Sequence, residues 1–352
     1  MSPSVWPPPK KVTGRLARAE REHARSIEII ARMDEGVLVL NSSLTPVSAN
    51  NSARRLLGIA SGGLPPQISA DNLISVARRC LADAGPVDAI LNLDGRDVRA
   101  RAIPLEDGIG MFLHDVTEEL GTQRLRRQFA ANASHELKTP VASLQALVEG
   151  IEKALDGDLD AARRFTARLG VEVHRLRALI DDLMDLSRVE DPAAMSAQKV
   201  DLSGLVTTQI EEMTPIAADS NLTIDHEVAD GIQVLGDSQH LELLLRNLLD
   251  NAVRYSTHGG RLRVTLAHSD DAVLLEVADE GIGIPLHAQS RIFERFFRVD
   301  EDRARGSGGT GLGLSIVKNV AESHGGTVAV TSELDEGSTF AVVLPVLEEG
   351  GG

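Results

Sequence analysis

The chain has 352 residues, of which 42% are hydrophobic and only 3% aromatic, and its formal net charge is −16. At about 150 residues per domain, this length suggests two or three domains. The negative charge argues against non-specific binding to nucleic acid or to an anionic membrane surface. The single cysteine, Cys80, excludes an intrachain disulfide framework and a cysteine zinc site. We interpret Cys80 as a small buried apolar residue.

The apolar residues are too scattered for a membrane span. No run of about 18 or more apolar residues occurs, so the sequence contains no candidate transmembrane helix. No signal-peptide pattern starts the chain. We therefore expect a cytoplasmic location, with no membrane anchoring visible in the chain. An anchor in a missing segment, or one supplied by a partner, would place the protein at the inner face of the plasma membrane.

The N-terminal third predicts a linking helix followed by a small α/β domain. Residues 11–30 are charged, and their apolar positions are roughly helix-spaced. Alternating apolar and polar positions and turn residues then predict a β-hairpin, a short helix and three strands. The predicted hairpin spans residues 36–50, the helix 53–58, and the strands 88–93, 97–103 and 110–114.

Two long amphipathic patterns follow. Residues 118–155 have apolar side chains at spacings of three and four, and a second such pattern runs from Phe165 to Val189. The break Asp156-Gly157-Asp158 between them predicts an antiparallel helical hairpin. One hairpin cannot bury both of its apolar seams, so we expect two copies to pair as a four-helix bundle. The protein is thus predicted to be a homodimer.

From about residue 197 the pattern changes to a mixture of helices and strands, which predicts an α/β sandwich with a mixed sheet. Its predicted helices span residues 203–219, 237–256 and 312–324, and its predicted strands span 222–228, 261–268, 272–279, 327–332 and 338–344.

The first chemical motif is the turn His-Glu-Leu-Lys-Thr-Pro, which begins at His135. Thr139 lies one helical turn after His135, on the same face. Pro140 removes a hydrogen bond to the Glu136 carbonyl and predicts a kink. A neutral imidazole has a free lone pair for attack, and Glu136 is the available carboxylate for its other nitrogen. Neighbours at i and i+1 do not normally face each other on a helix, so this contact needs the kink or the flexible Glu chain.

The second motif is a glycine run, Gly309-Thr310-Gly311-Leu312-Gly313-Leu314, that opens an apolar helix. Backbone N–H groups at such a helix N-terminus can approach phosphates closely. The run is not a P-loop, since the Lys-Ser/Thr ending is missing, and its context is not that of a dinucleotide fingerprint. The polar segment before it, residues 300–308, predicts a mobile lid.

Two further motifs supply polar side chains. Asn247 and Asn251 are four residues apart on one predicted helix face, and a side-chain carbonyl oxygen suits Mg²⁺. Asp279 precedes Gly281 and Gly283 and can accept a hydrogen bond from an amino group.

These four blocks, in their order along the chain, resemble the sensor histidine kinases of bacterial two-component systems. The resemblance implies a multidomain protein with four parts: a linker over residues 1–28, a PAS-like sensor domain over 29–117, a dimerisation and histidine phosphotransfer domain over 118–192, and a catalytic ATP-binding domain over 197–347. The PAS resemblance rests on the strand pattern alone.

The resemblance also implies roles for individual residues. His135 is the phosphorylated residue, Glu136 the acid/base that activates it, and Thr139 the residue that orients water when the partner is dephosphorylated. ATP and Mg²⁺ are the implied cofactors, and the receiver domain of a response regulator is the implied partner. Asn251 is the implied Mg²⁺ ligand. The implied nucleotide-binding residues are Asn247, Asn251, Arg254 (phosphate), Tyr255 (adenine), Asp279 (adenine), Gly281, Gly283, Arg298 (γ-phosphate), Gly309, Thr310, Gly311, Leu312, Gly313 and Leu314.

Two alternatives come from other classes. An ATPase or a protein-serine kinase with the same pocket would hydrolyse ATP or form an acid-stable phosphate. The gyrase- and MutL-type ATPases have a water-activating glutamate at the position of Asn247, and an amide cannot act as a base. A non-catalytic signalling scaffold would not bind ATP, and the intact set of Asn251, Asp279 and the glycines argues against it.

Overall fold

The computed structural model describes Arg25 and residues 28–60, 63–155, 157–191, 195–269, 272–299 and 309–347, without the side chains of residues 125 and 126. The chain divides into two compact units, Met1–Gln128 and Phe129–Gly352. Residues 28–32 are helical, whereas most of the linking helix predicted over 11–30 lies outside the described residues. The lid predicted over 300–308 also lies outside them.

The first unit contains one antiparallel sheet of five strands in the order β2-β1-β5-β4-β3. The predicted hairpin and all three predicted strands are confirmed, each within two residues at either end. The strands are β1 (Gly36–Asn41), β2 (Pro46–Ala49), β3 (Val87–Leu93), β4 (Arg96–Leu105) and β5 (Gly108–Asp115).

Two helices pack on this sheet. The first, α1 (Asn51–Leu56), begins before its predicted start because the Asn50 side chain accepts a hydrogen bond from the Ala53 N–H at 2.9 Å. The second, α2 (Asp71–Asp83), was not predicted, although it buries Leu73, Val76, Ala77 and Cys80 at helical spacing. Cys80 is buried, as expected, and this burial raises the pKa of its thiol.

The two long amphipathic patterns form the predicted helices α3 (Thr117–Leu155) and α4 (Leu159–Val189). Asp158 caps α4 by accepting a hydrogen bond from the Ala161 N–H at 2.8 Å. The helices approach closely where α3 has a glycine, since a Cβ at Gly150 would lie 3.2 Å from the Phe165 ring. Pro140 lies inside α3, which continues on both sides of it, so the proline does not end the helix.

The remainder of the second unit is an α/β fold with a five-stranded mixed sheet in the order β11-β12-β10-β9-β7. Only the β7–β9 pair is parallel among the described strand pairs of this sheet. Helices α5, α6 and α8 share one apolar core with the sheet. The strands are β7 (Thr223–Val228), β9 (Arg261–Ser269), β10 (Ala272–Asp279), β11 (Thr327–Glu333) and β12 (Gly337–Pro345).

The helices of this fold match their predicted positions to within one residue at either end. They are α5 (Leu202–Asp219), α6 (Ser238–Tyr255) and α8 (Gly313–Ser323). Two elements were not predicted: the short helix α7 (Leu286–Gln289), and the two-stranded sheet of β6 (Gln198–Asp201) and β8 (Gln233–Gly236). Among the described residues, no helix is both long and apolar enough to span a membrane.

Candidate active site

Helix α6 positions four of the predicted nucleotide-binding residues. Its start is fixed by Asp237, whose carboxylate accepts hydrogen bonds from the N–H groups of Gln239 at 3.0 Å and His240 at 3.2 Å. A row of leucines attaches the helix to the core, so that Asn247 and Asn251 lie half-buried along one side. The buried leucines are Leu241, Leu243, Leu244, Leu245, Leu248 and Leu249.

The glycine run lies directly against α6. A Cβ at Gly313 would lie 2.5 Å from Asn247 Oδ1 and 3.8 Å from Asn251 Nδ2. At the other end of the run, a Cβ at Gly309 would lie 2.9 Å from Arg254 Nη1 and 3.3 Å from the Tyr255 hydroxyl. The N-terminus of α8 is therefore bordered by two amides and a guanidinium, and its glycines leave room for a ligand to approach the backbone.

The backbone of the run is held from both sides. Gly311 has a φ of +75°, and its carbonyl accepts a hydrogen bond from the Phe296 N–H at 2.8 Å. The Leu312 N–H donates to Thr310 Oγ1 at 3.3 Å. The side chain of Leu312 is fully buried and that of Leu314 packs against the core. These two leucines could therefore contribute backbone groups to a nucleotide site while their side chains stabilise the fold.

Asp279 lies at the end of β10, beside the end of α6. The two elements meet at a bridge between Ser256 and Gly281, where the Tyr255 carbonyl accepts from the Ile282 N–H at 3.2 Å. A Cβ at Gly281 would overlap the Tyr255 carbonyl oxygen, so this close approach requires glycine. Gly283 has a φ of +66° and packs on the backbone of β11. It therefore shapes the loop.

The Asp279 carboxylate has an unusual ionisation. Burial raises its pKa to about 6, although the N–H groups of Gly281 and Ser338 oppose the shift by hydrogen bonding to it. The bond from Gly281 N measures 2.9 Å. Since the backbone uses only part of the carboxylate, acceptor capacity remains for a donor such as an amino group.

The predicted phosphoacceptor turn lies on α3. The His135 side chain is 81% exposed, and its Nδ1 atom lies 3.8 Å from Glu136 Oε1. The two neighbours on the helix thus approach each other, at a distance longer than a hydrogen bond. The Thr139 hydroxyl donates to the His135 carbonyl at 3.3 Å. His135 therefore presents its Nε2 edge to solvent with a carboxylate behind it.

The structure adds contacts between α4 and the α/β fold that sequence reasoning missed. Thr310 Oγ1 donates to Asp182 Oδ2 at 2.5 Å, and Arg246 pairs with Asp185 at 3.1 Å. Arg295 pairs with Glu190 at 2.5 Å. A sequence signal for these contacts exists, because the three acids are close in sequence to the apolar residues Leu179, Leu186 and Val189. These apolar residues are buried in the core shared with the α/β fold.

These contacts bring the glycine run to the phosphoacceptor helix. One narrow crevice is lined by Glu136 and Pro140 of α3, by Arg175 and Leu179 of α4, and by Gly309 and Thr310. His135 is not among the residues that line it.

The phenylalanines that precede the predicted lid pack against other aromatic rings. Phe293 and Phe340 stack edge to face with ring centroids 6.5 Å apart, and Phe296 lies 5.9 Å from Phe129 of α3. Arg298 is half-buried and interacts within the protein, so its contact with a γ-phosphate stays a prediction.

The described residues contain no cluster of three or more His, Cys, Asp or Glu side chains suited to a metal ion. The Asn251 amide lies beside the start of α8, and its one carbonyl oxygen would suit a cation that is held mainly by nucleotide phosphates and water, as Mg²⁺ is.

Two family models match parts of this chain. The family model of the His Kinase A (phospho-acceptor) domain matches residues 125–192. The model of the histidine kinase-, DNA gyrase B-, and HSP90-like ATPase matches residues 236–348. The first match contains the turn at His135, and the second contains α6, Asp279 and the glycine run.

Curated relatives and solved structures are similar to the chain. Sensor-like histidine kinase SenX3 of Mycolicibacterium smegmatis is 38% identical over 236 residues, which cover 67% of this chain and 61% of that protein. Sensor protein kinase WalK of Staphylococcus epidermidis is 28% identical, with coverage of 97% and 58%. Histidine kinase ThkA, solved in complex with response regulator protein TrrA, has a TM-score of 0.53 at 19% identity, with coverage of 90% and 97%, and shows the fold alone.

The chain spans about three fifths of the length of these two curated relatives. Both family models match at the positions of the four sequence blocks. The chain belongs to the sensor histidine kinases of two-component systems.

Proposed function

We propose that this protein is an ATP-dependent histidine kinase that phosphorylates His135 and passes the phosphoryl group to an aspartate of a response-regulator receiver domain. The observation that supports this most directly is the convergence of Asn247, Asn251, Asp279 and the glycine run around one helix, in the same unit as His135 and Glu136.

The nucleotide would bind with its adenine at Asp279 and its phosphates at the N-terminus of α8. The free acceptor capacity of the Asp279 carboxylate suits the 6-amino group of adenine. Arg254, beside Gly309, supplies a positive charge to the phosphates. Asn251 would hold Mg²⁺, which neutralises phosphate charge when it is bound.

In the transfer step, His135 Nε2 attacks the γ-phosphorus, an N–P bond forms, and the bond from phosphorus to the β,γ-bridging oxygen breaks. ADP leaves with the electron pair. Positive charge on the imidazole is relieved as the Nδ1 proton moves toward Glu136 Oε1, which lies 3.8 Å away before any tightening. Most of the catalysis is then positioning and charge neutralisation.

The alternative of net ATP hydrolysis finds no support in the position of Asn247. Its Nδ2 group donates to the Leu243 carbonyl at 2.8 Å, and its Oδ1 atom faces Gly313. An amide fixed in this way cannot take a proton from water. Transfer to His135 is therefore the better-supported reaction.

We propose that the hairpin pairs with that of a second copy. Within the described part of the chain, α3 exposes Val141, Val148 and Leu155 at intervals of seven residues. On α4, Leu159, Val173, Ile180 and Met184 are also exposed. Apolar residues repeating in this way are typical of a helix seam that another helix covers, and a second hairpin would complete a four-helix bundle.

Two further assignments complete the proposal. Residues 29–117 are a PAS-like sensor domain, supported by the antiparallel sheet order β2-β1-β5-β4-β3 with helices between β2 and β3. The hairpin around Thr139 is the surface for the response regulator, and Thr139 orients water for dephosphorylation of that partner. A response regulator is the partner named for ThkA, which shares the fold.

The test is incubation of wild type and His135→Gln with γ-labelled ATP and Mg²⁺. We expect label on wild type only, lost in acid and retained in alkali, as a phosphohistidine requires. His174→Gln is the matched control, because His174 is an exposed histidine on α4, and it should be labelled like wild type. Acid-stable label, or equal label on His135→Gln, would instead support the serine-kinase alternative.

A further inference from the structure

The Thr310 hydroxyl links the glycine run to the helical hairpin. Its Oγ1 atom donates to Asp182 Oδ2 on α4 at 2.5 Å and accepts from the Leu312 N–H at 3.3 Å. Leu312 is the N-cap of α8. One threonine side chain therefore ties a carboxylate of the hairpin to the helix terminus proposed to hold phosphates.

The Asp182 carboxylate lies among the groups that a triphosphate would use. Arg254 and Arg246 of α6 lie close enough to favour its charged form, as does the Thr310 hydrogen bond, while the like charge of Asp185 opposes it. Burial outweighs these contacts and raises the pKa of Asp182. The guanidinium of Arg254 also borders Gly309. An anion at the glycine run and the Asp182 carboxylate would thus compete for one hydroxyl and one cation.

The space between the two elements is too small for a phosphoryl group. The crevice lined by Glu136, Gly309 and Thr310 has a volume of about 10 Å³, which is about what one water molecule needs. A γ-phosphate could therefore enter this crevice only if Glu136 and the glycine run moved apart.

Other contacts hold the same arrangement without touching the glycine run. Asp185 pairs with Arg246 at 3.1 Å, and Glu190 contacts both Arg295 at 2.5 Å and Asn319 at 3.4 Å. Asp182 differs from these acids because its partner belongs to the proposed phosphate site itself.

We propose that Asp182 is a positioning residue whose contact with Thr310 is displaced by nucleotide. Without nucleotide, the Asp182 carboxylate binds Thr310 and holds the glycine run against α4. When ATP binds, its phosphates replace Asp182 as the partners of Thr310 and Arg254, and the α/β fold is released from the hairpin. Docking on α4 and nucleotide binding then oppose each other. The inference rests on the proposed nucleotide site.

The first test measures the affinity for a non-hydrolysable ATP analogue with Mg²⁺ by calorimetry on the full chain. Asp182→Asn removes the competing charge and should bind at least about fivefold more tightly than wild type. Asp181→Asn is the matched control, because Asp181 is exposed and pairs with Arg177 on the same helix, and its affinity should equal that of wild type.

The outcomes separate this inference from the proposed function. If wild type does not bind the analogue, the proposed nucleotide site is wrong. If wild type binds and Asp182→Asn binds equally or more weakly, Asp182 does not compete with nucleotide and the inference fails.

A second test locks the docked arrangement. In a Glu190→Cys/Asn319→Cys variant, a short bis-maleimide would join α4 to α8 at a contact outside the glycine run, while the buried Cys80 stays unmodified. We expect the cross-linked protein to lose at least about tenfold in analogue affinity relative to the same variant before cross-linking. Equal affinity before and after cross-linking would overturn the inference even if Asp182→Asn fails to fold.

Discussion

The Nε2 atom of His324 accepts a hydrogen bond from the backbone N–H of Asp237 at 3.0 Å, which ties the end of α8 to the start of α6. The Nδ1 atom lies 2.8 Å from the Val320 carbonyl, so His324 is neutral with its proton on Nδ1. The His324 ring is buried and lies 6.4 Å from that of His240. The two helices that border the glycine run are thus held together by an uncharged imidazole.

This arrangement predicts a loss of stability in mild acid. Burial lowers the pKa of His324, assisted by His240 and opposed by the Val320 carbonyl and by Asp237. A lowered folded-state pKa contributes stability that is present above the ordinary value of 6.5 and is lost as the pH falls below it. We expect the melting temperature of wild type to fall between pH 7.5 and pH 5.5.

The comparison with His324→Gln isolates this contribution. The variant should be less stable than wild type at pH 7.5, because it loses the bond to Asp237, and its melting temperature should depend less on pH. His258→Gln removes an exposed histidine and should keep the wild-type pH profile. Parallel profiles for wild type and His324→Gln would contradict the prediction.

Nucleotide binding should also weaken in acid, for a different reason. Protonation of Asp279, whose pKa burial raises to about 6, converts an acceptor into a donor that opposes the adenine amino group. We expect the affinity for the ATP analogue to fall roughly tenfold between pH 7 and pH 5. Calorimetric titrations at a series of pH values measure this change. An affinity that does not vary between pH 7 and pH 5 would exclude recognition of adenine by the Asp279 carboxylate.

Asp279→Asn should have opposite effects on the affinity for the ATP analogue and on the stability of the fold. The carboxylate is destabilising above pH 6, where it is charged and desolvated, and this penalty is absent near the ordinary value of 3.8. The variant should therefore melt at or above the wild-type temperature at pH 7.5, and the difference should shrink toward pH 4. Its affinity for the analogue should fall well below that of wild type at pH 7.5.

Periodicity was sufficient to predict most of the elements. The helices α3, α4, α5, α6 and α8 have apolar faces long enough to define their bounds, and capping residues such as Asp158 and Asp237 mark two of their starts. Helix α2 also has this pattern, but it lies among weakly patterned loops that obscure its bounds. The short pair of β6 and β8 has only four residues in each strand, too few for alternation to be recognised.

The candidate site was predictable where its residues belong to a local motif. Asn247 and Asn251 share a helix face, and the glycines of the run are consecutive, so spacing alone groups them. The contact of Thr310 with Asp182 joins residues 128 positions apart, and no local pattern pairs them. The raised pKa of Asp279 likewise depends on burial by the surrounding fold.

Gly313→Ala should impair nucleotide binding while the fold remains. The added methyl group would lie 2.5 Å from Asn247 Oδ1, whose side chain is held by its bond to the Leu243 carbonyl. Displacing this amide disturbs the proposed phosphate site, so we expect at least about a tenfold loss in analogue affinity. Gly170→Ala is the control, because a Cβ there meets nothing within 4 Å and Gly170 lies inside α4.

The control should change stability and leave binding unaffected. Replacing glycine by alanine inside a helix stabilises it by about 0.5 to 1 kcal/mol, so Gly170→Ala should raise the melting temperature with wild-type affinity. Wild-type affinity in Gly313→Ala would show that Asn247 can move aside without consequence for the ligand.

The exposed stripe on α3 predicts the assembly state. Val148 lies between Val141 and Leu155 on the stripe and is 44% exposed, so Val148→Glu would place a charge in the proposed dimer seam. Light scattering after size exclusion should give wild type a mass of twice the 37.7 kDa chain and the variant a mass near that of one chain. Ala146→Glu adds the same charge at an exposed position two residues earlier, on a different side of the helix, and should remain dimeric. A dimeric Val148→Glu protein, or dissociation by Ala146→Glu alone, would place the seam on another face of the hairpin.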